Sequence, residues 1–186
     1  MTMYRDPIVW NANRQLLGER ILVFMGDSTV REARVIGQAL SIEQVDEKDH
    51  FNQISSRQMF AFFEEGNLRR SVATGNVRVI YFPQDDKDSS LIGLNYTETD
   101  SMRMYFSPQR QLQKIWSDKA DNIIYPMTQI PPTRYKLDAF AWFDSIRPRN
   151  KDDIFVWRGK SEGEKLKKIE RHAAPLQQLG SGGGAQ

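Results

Sequence analysis

The feature that most constrains this chain is a hairpin-like pattern of alternating apolar and polar residues, which occurs three times. Each copy has an apolar run, a short polar or glycine-containing segment, and a second alternating run. The first runs contain Ile21, Met59 and Met102 at matching places, and the first two copies close at Gly37 and Gly75. The first and second copies are 38 positions apart, and the second and third are 43 apart. This nearly constant spacing indicates a repeated structural unit.

The alternation predicts an all-β fold of antiparallel hairpins. Runs rich in Val, Ile, Phe, Tyr and Met with a period of two are typical of strands with a buried face, and "GD", "EEGN" and "SPQ" are typical of turns. The acidic segment Pro83–Ser90 lengthens the second interval, and we interpret it as a surface insertion. Apolar residues such as Phe24 and Phe60 also occupy the second face of the first two copies. We therefore expect stacked copies to cover both faces, because a single hairpin cannot bury its own apolar side.

The C-terminal third lacks this regularity. Pro126, Pro131 and Pro132 disfavour a helix and favour extended chain at a sheet edge. Only "SEGEKLKKIERHAA" has helical spacing, and the last residues, "LGSGGGAQ", have the composition of a flexible linker. We expect one β-domain over residues 5–160 and a helical or disordered tail over residues 161–186.

The composition excludes several classes of function. The chain has 186 residues with 26 basic and 24 acidic side chains, and the basic ones are scattered, so no nucleic-acid partner is expected. No cysteine is present, which rules out disulfides and thiolate chemistry. The two histidines, His50 and His172, lie in polar segments, and we interpret them as solvated surface residues. No nucleophile, base and orienting group can be assembled from these residues, so we expect no enzyme activity and no cofactor.

A metal site and a membrane span are not expected either. Asp85, Asp86 and Asp88 form an acidic cluster, but it lacks the glycine and the distal glutamate of a calcium loop, and a solvated turn is the better interpretation. No apolar run reaches the roughly 18 residues of a membrane-spanning helix. The first residues lack the layout of a signal peptide, which leaves a cytosolic protein or a mature segment of a longer precursor.

Part of the second copy, "RQMFAFFEEGNLRRSVATGNVRVIYF", resembles the repeat of the OstA-like family of lipopolysaccharide-transport proteins. Glu65, Gly66 and Leu68 stand at the turn of that repeat, and Gly75 and Asn76 stand in its closing motif. The segments "LIGLNYTETDSMRMYF", "YPMTQIPP" and "FAWFDSIRPRNKDDIFVWRGK" are similar to OstA-like proteins of Bacteroidetes-type bacteria. The resemblance covers about residues 5–160.

This resemblance implies a twisted β-jellyroll of stacked antiparallel hairpin repeats, open along one side, that holds the acyl chains of lipopolysaccharide. It also implies a location in the periplasm, possible self-association, and edge-to-edge strand addition to other lipopolysaccharide-transport proteins that bridge the inner and outer membranes. The side chains that we predict to bind lipid are apolar members of the three copies. They are Ile21, Val23, Met25, Met59, Ala61, Phe63, Leu68, Val72, Met102, Met104 and Phe106.

Two questions stay open at the level of sequence. Arg31, Arg34, Arg69 and Arg70 lie on return strands, where they would meet lipid phosphates at the mouth of a groove or pair with glutamates such as Glu32. An apolar stripe at strand spacing is also typical of an ordinary core. The alternative hypothesis is therefore a structural β-repeat scaffold that self-associates through its strand edges without a lipid ligand.

Overall fold

A computed structural model describes residues 1–85, 87–109, 111–153 and 156. It contains ten strands and three short 3₁₀ helices. The strands are β1 (Thr2–Tyr4), β2 (Ile8–Asn11), β3 (Arg14–Leu17), β4 (Arg20–Met25), β5 (Val30–Gln44), β6 (Phe51–Glu64), β7 (Asn67–Tyr81), β8 (Gly93–Phe106), β9 (Leu112–Ser117) and β10 (Asp121–Pro126). The 3₁₀ helices are Met127–Gln129, Pro132–Arg134 and Asp144–Ile146.

The expected all-β fold is confirmed. The ten strands form a single antiparallel sheet that does not close on itself, and the architecture is jellyroll-like. The four long strands β5–β8 occupy the middle in chain order. Shorter strands complete each side: β3 and β4 both pair with β5, and β9 and β10 both pair with β8. The described residues of the predicted insertion, 83–85 and 87–90, lie between β7 and β8, outside the strands.

The three sequence copies correspond to the hairpins β4–β5, β6–β7 and β8–β9. The tightest of their turns joins β6 to β7, where Glu64 pairs with Asn67 and only two residues form the loop. These two, Glu65 and Gly66, have φ of 50° and 76°. Positive φ at both central positions gives the backbone twist that a two-residue hairpin needs, and the glycine adopts it without a steric cost.

A crease crosses every long strand at about its midpoint. In β5 the consecutive residues Gly37 and Gln38 have positive φ, and in β7 Gly75 and Asn76 do, with a register shift at each place. Lys119, which also has positive φ, occupies the equivalent place in the third copy, between β9 and β10. The repeated closing motif therefore sets a bend in the sheet.

The crease divides the sheet into two halves. The open half comprises β1, β4, β9 and the parts of β5–β8 nearest the three hairpin turns. The covered half comprises β2, β3, β10 and the remaining parts of the long strands. Residues of both halves, such as Ile54 from one and Met59 from the other, pack in one hydrophobic cluster inside the bend. We call the side of the sheet that carries this cluster the front face and the opposite side the back face.

The back face of the covered half packs against the C-terminal segment, residues 127–147. Leu40 and Ile42 lie in one buried cluster with Ala139 and Phe143, while Leu94 lies in a second cluster with two other residues of the segment, Ile130 and Leu137. The expectation that stacked copies of the repeat would supply this cover is wrong for the covered half, because an irregular segment supplies it.

Two fully buried glutamines hold the C-terminal segment in place. The side-chain amide of Gln53 donates a hydrogen bond to the carbonyl of Tyr135 and accepts one from the N–H of Leu137, both at 2.8 Å. Gln15 makes the same two bonds, to the carbonyl of Ala141 at 2.7 Å and from the N–H of Phe143 at 2.8 Å. Each glutamine thereby satisfies two main-chain groups that no strand pairs.

The prolines of this region act differently from the expectation. Pro126 does end an edge strand, β10, as predicted. Pro131 and Pro132 instead lead into a 3₁₀ helix, which tolerates proline in its first turn. Trp157 and the predicted tail over residues 161–186, with its helical segment, lie outside the described residues, as does Asp86.

Candidate lipid-binding face

The front face of the open half carries three apolar rows that run across the strands. In the first row, next to the crease, Ile21 pairs with Val35, Val35 with Met59, Met59 with Ala73, and Ala73 with Met102. Ile21, Met59 and Met102 are only 1%, 6% and 5% exposed. This row and the covered half bury one another, so the floor of the bend is filled by the protein's own side chains.

The second row lies one step further from the crease and is only partly covered. It contains Val23, Ala61 and Met104 on the same face, with Ile115 at the edge of the sheet. Val23 and Met104 pack against the core cluster, while Ile115 is 52% exposed. Cover by the protein is therefore less complete in the second row than in the first.

The third row lies beside the three hairpin turns. Its direct pairs are Met25 with Val30, Phe63 with Leu68, and Phe106 with Leu112. Met25 is 57% exposed and Leu112 is 43% exposed, whereas the other four side chains are half-buried. With strands spaced by about 4.8 Å, the row from β4 to β9 is about 24 Å wide.

A register shift beside each turn creates this third row. In the second hairpin Phe62 pairs with Arg70, whereas the next residue, Phe63, pairs with Leu68, so that Arg69 is an extra residue in β7. The same shift occurs between Phe24 and Met25 and between Tyr105 and Phe106. A bulge of this kind changes the face on which the following residues lie. It turns an apolar side chain of each return strand toward the front.

The structure places ten of the eleven predicted lipid-binding residues on this front face. The exception is Val72, which pairs with Phe60 and Arg103 on the back face. In an unbroken strand Leu68 and Val72, four positions apart, would share a face, but the bulge at Arg69 separates them. Val72 therefore cannot line the same wall as the other ten.

Apolar front-face residues on the return strands were missed in the sequence, and the accessible ones among them include Val30, Leu112 and Ile115. All lie on return strands, where the alternation alone does not locate the extra residue of a bulge. The signal that would have found Val30 and Leu112 is the equivalence of the three turns, because an apolar residue follows each turn at Val30, Leu68 and Leu112.

Three of the four arginines considered for lipid phosphates, all except Arg31, lie away from this wall or are already in contact with other side chains. Arg34 donates to Glu32 at 2.6 Å on its own strand, and Arg69 lies 3.2 Å from Glu64. The guanidinium of Arg70 lies 4.2 Å from the centre of the Phe62 ring on the back face. The pairing with Glu32 that the sequence suggested is therefore present, although it runs along one strand rather than across two.

A polar pocket of about 200 Å³ lies between the covered half and the C-terminal segment. Tyr96 lines it, donates a hydrogen bond to Glu98, and carries the guanidinium of Arg134 over its ring at 4.5 Å. Burial, followed by the bond to Glu98, raises the pKa of Tyr96 to about 12. Arg78 in the same pocket pairs with Asp138 at 3.3 Å. These contacts join the segment to the sheet and leave the pocket too polar for hydrocarbon.

His50 differs from its expected role as a solvated surface residue. Its ring is mostly buried beside Phe82 and Tyr135, and Nδ1 lies 2.7 Å from a carboxylate oxygen of Asp46. Burial raises the pKa of Asp46, but hydrogen bonds from the His50 ring and from the backbone N–H groups of Lys48 and His50 outweigh it, so the pKa lies below its usual value. In the described part of the chain no group of acidic and histidine side chains is arranged to hold a metal ion.

Comparison of the sequence with protein-family models and with curated proteins finds no match. Among the described residues, no helix is both long enough and apolar enough to cross a membrane. The geometry of the front face is thus the structural feature that bears most directly on function.

Proposed function

We propose that this protein is a non-enzymatic lipopolysaccharide-transport component of the OstA-like kind, which binds acyl chains on the front face of its open half. The observation that carries the proposal is the apolar third row beside the hairpin turns. That row crosses the six strands β4–β9, which the usual strand spacing makes about 24 Å wide, and the protein covers it only in part. A soluble domain gains stability by burying such a surface, and a bound hydrocarbon chain would bury it.

The filled floor of the bend narrows the proposed binding surface. The space inside the crease is filled by Ile21, Met59 and Met102, whose side chains have almost no surface accessible to a ligand. The second and third rows remain, and they include Met104 and Phe106, whose flexible and flat side chains suit a mobile hydrocarbon chain. We place the acyl chains against these two rows, between the crease and the three turns.

The test is site-specific photo-crosslinking in the full chain. A photoreactive phenylalanine analogue at Phe63, Met104 or Phe106 should label added lipopolysaccharide. The same analogue at Tyr81 should not, because Tyr81 ends β7 in the covered half, away from the three hairpin turns. This control position is also in a strand, and at 43% exposure it is accessible to added lipid. Equal labelling at Tyr81 and Phe63, or no labelling at the front-face positions, would refute the proposal.

The periplasmic location and the partners follow from the same proposal. Transport across the periplasm requires contact with further lipopolysaccharide-transport proteins, and strand addition at an open sheet edge is the mode that this architecture supports. The edge formed by β9 and β10 is the favoured one, because Leu112, Ile115, Ile123 and Ile124 are all more than 40% exposed there. A partner strand at this edge would pair main-chain groups and cover these side chains.

The same edge favours the second candidate function, a β-repeat scaffold that self-associates without a lipid. The substitution Ile124→Lys separates the two, since it puts a charge on the most exposed large apolar side chain of that edge, at 68% exposure. A scaffold without a ligand should lose self-association, measured by light scattering, and should show no lipopolysaccharide labelling in any variant. A carrier should still be labelled at Met104 after this substitution.

A further inference from the structure

The back face of the open half carries a cationic and aromatic surface that the lipid-binding proposal does not use. Two rows cross the strands β4–β9 there, and the register places their members opposite one another. We call these rows the arginine face. One row contains Leu22, Arg34, Phe60, Val72, Arg103 and Trp116, and the other contains Phe24, Glu32, Phe62, Arg70, Tyr105 and Lys114.

Each hairpin of the repeat contributes one arginine stacked on an aromatic ring. Arg34 lies 4.8 Å from the centre of the Phe24 ring, Arg70 lies 4.2 Å from that of Phe62, and Arg103 lies 4.6 Å from that of Trp116. Such stacking holds the guanidinium flat and preorganises its N–H donors. The three pairs do not occupy equivalent positions, since Arg34 and Arg70 lie on return strands and Arg103 lies on the first strand of its hairpin. Each hairpin nevertheless places one stacked guanidinium on the same face.

The arginine face has an excess of positive charge. Four basic side chains, Arg34, Arg70, Arg103 and Lys114, share it with one carboxylate, that of Glu32, which already bonds to Arg34. Within the described residues no carboxylate forms an ion pair with Arg70, Arg103 or Lys114, and all three are exposed. The surface therefore fits an anionic partner.

We propose that the arginine face docks on the headgroup layer of an anionic phospholipid membrane. The face lies on the outside of the bend, because the two halves fold toward the front, and an outward face meets a planar surface without a groove. Tyr105 is half-buried and Trp116 is 42% exposed, and such amphipathic rings sit at the level of lipid headgroups. The neighbouring basic side chains supply the attraction to anionic lipid.

Two other occupants fit the observations less well. A single-stranded nucleic acid binds by stacking bases on free aromatic faces, and here arginines already cover the rings of Phe24, Phe62 and Trp116. A second copy meeting this face symmetrically would oppose like charges.

The test is flotation of the full chain with vesicles of phosphatidylcholine, alone or mixed with phosphatidylglycerol. We expect binding only to the mixed vesicles, with loss at high salt. The double substitution Arg70→Gln and Arg103→Gln should weaken vesicle binding about 30-fold. Each basic residue near the membrane surface raises the affinity about fivefold, and the two effects multiply. The matched control, Lys48→Gln with Arg149→Gln, removes the same charge from exposed positions off this face and should change binding by less than about threefold.

Three results would overturn the inference. They are equal binding to neutral vesicles, equal loss in the control variant, and arginine-dependent binding of a single-stranded DNA oligonucleotide in place of vesicles. Thermal unfolding of both double variants checks that they remain folded. The inference goes beyond the proposed function and can fail separately from it, because these vesicles contain no lipopolysaccharide and the substitutions leave the front face intact.

Discussion

The buried glutamine Gln53 offers the sharpest test of how the C-terminal segment is attached. Its side chain is fully buried and satisfies the carbonyl of Tyr135 and the N–H of Leu137. In Gln53→Ala both main-chain groups stay buried and lose their partner. Each unsatisfied group costs about 1–3 kcal/mol, so we expect the free energy of unfolding to fall by about 2–6 kcal/mol. That is a large fraction of the roughly 5–15 kcal/mol typical of a domain.

The assay is equilibrium unfolding in urea, with hydrogen exchange as a local readout. The amide of Leu137 should exchange faster in Gln53→Ala, because its acceptor is the Gln53 side chain. Gln58→Ala is the matched control: it lies on the same strand, is half-buried, and should cost less than about 1 kcal/mol. If the two variants are destabilised equally and Leu137 keeps its protection, the glutamine does not hold the segment and the reasoning is wrong.

Two further predictions concern the crease and the polar pocket. Gly75→Ala should lower the free energy of unfolding by about 1–2 kcal/mol in urea titrations, because φ is +80° there and the added Cβ would lie 2.9 Å from the Cβ of Arg57. The control is Gly26→Ala, where the added Cβ would meet only a carbonyl oxygen at 3.5 Å, and it should have a smaller effect. A larger effect of Gly26→Ala than of Gly75→Ala would contradict the assigned bend. The pKa of about 12 predicts a phenol ionisation near pH 12 in an ultraviolet titration, and Tyr96→Phe should lack this step. Since the folded-state pKa lies above the usual value of about 10, the neutral hydroxyl stabilises the fold below pH 10 and that contribution is lost toward pH 12. A late step that persists in Tyr96→Phe would disprove the assignment.

The local features of the repeat could be predicted from the sequence because they depend on neighbouring residues. Alternation around Ile21, Met59 and Met102 indicated the strands, and these residues do occupy equivalent places in the first row. "EEGN" indicated a tight turn because glycine tolerates positive φ, and the turn is at Glu65 and Gly66. The all-β architecture followed from these signals.

The faces of the return strands were decided by pairing, which the alternation does not encode. One extra residue, Arg69, puts Leu68 and Val72 on opposite faces, although their spacing of four positions suggests a shared face. The arginine face arises in the same way, because aromatic and basic residues of different strands meet only when the register is fixed. A sequence pattern with a period of two gives the alternation within a strand but not the position of a bulge.

By itself, the sequence determined the hairpins, their turns, the repeat and the apolar character of the candidate lipid-binding rows. Tertiary structure alone decided which rows are filled and which stay open, and what covers the back of the sheet. The bond from Gln15 to Ala141 joins residues 126 positions apart. No local propensity specifies such a contact, since it forms only when the bend and the strand register have brought the C-terminal segment onto the sheet.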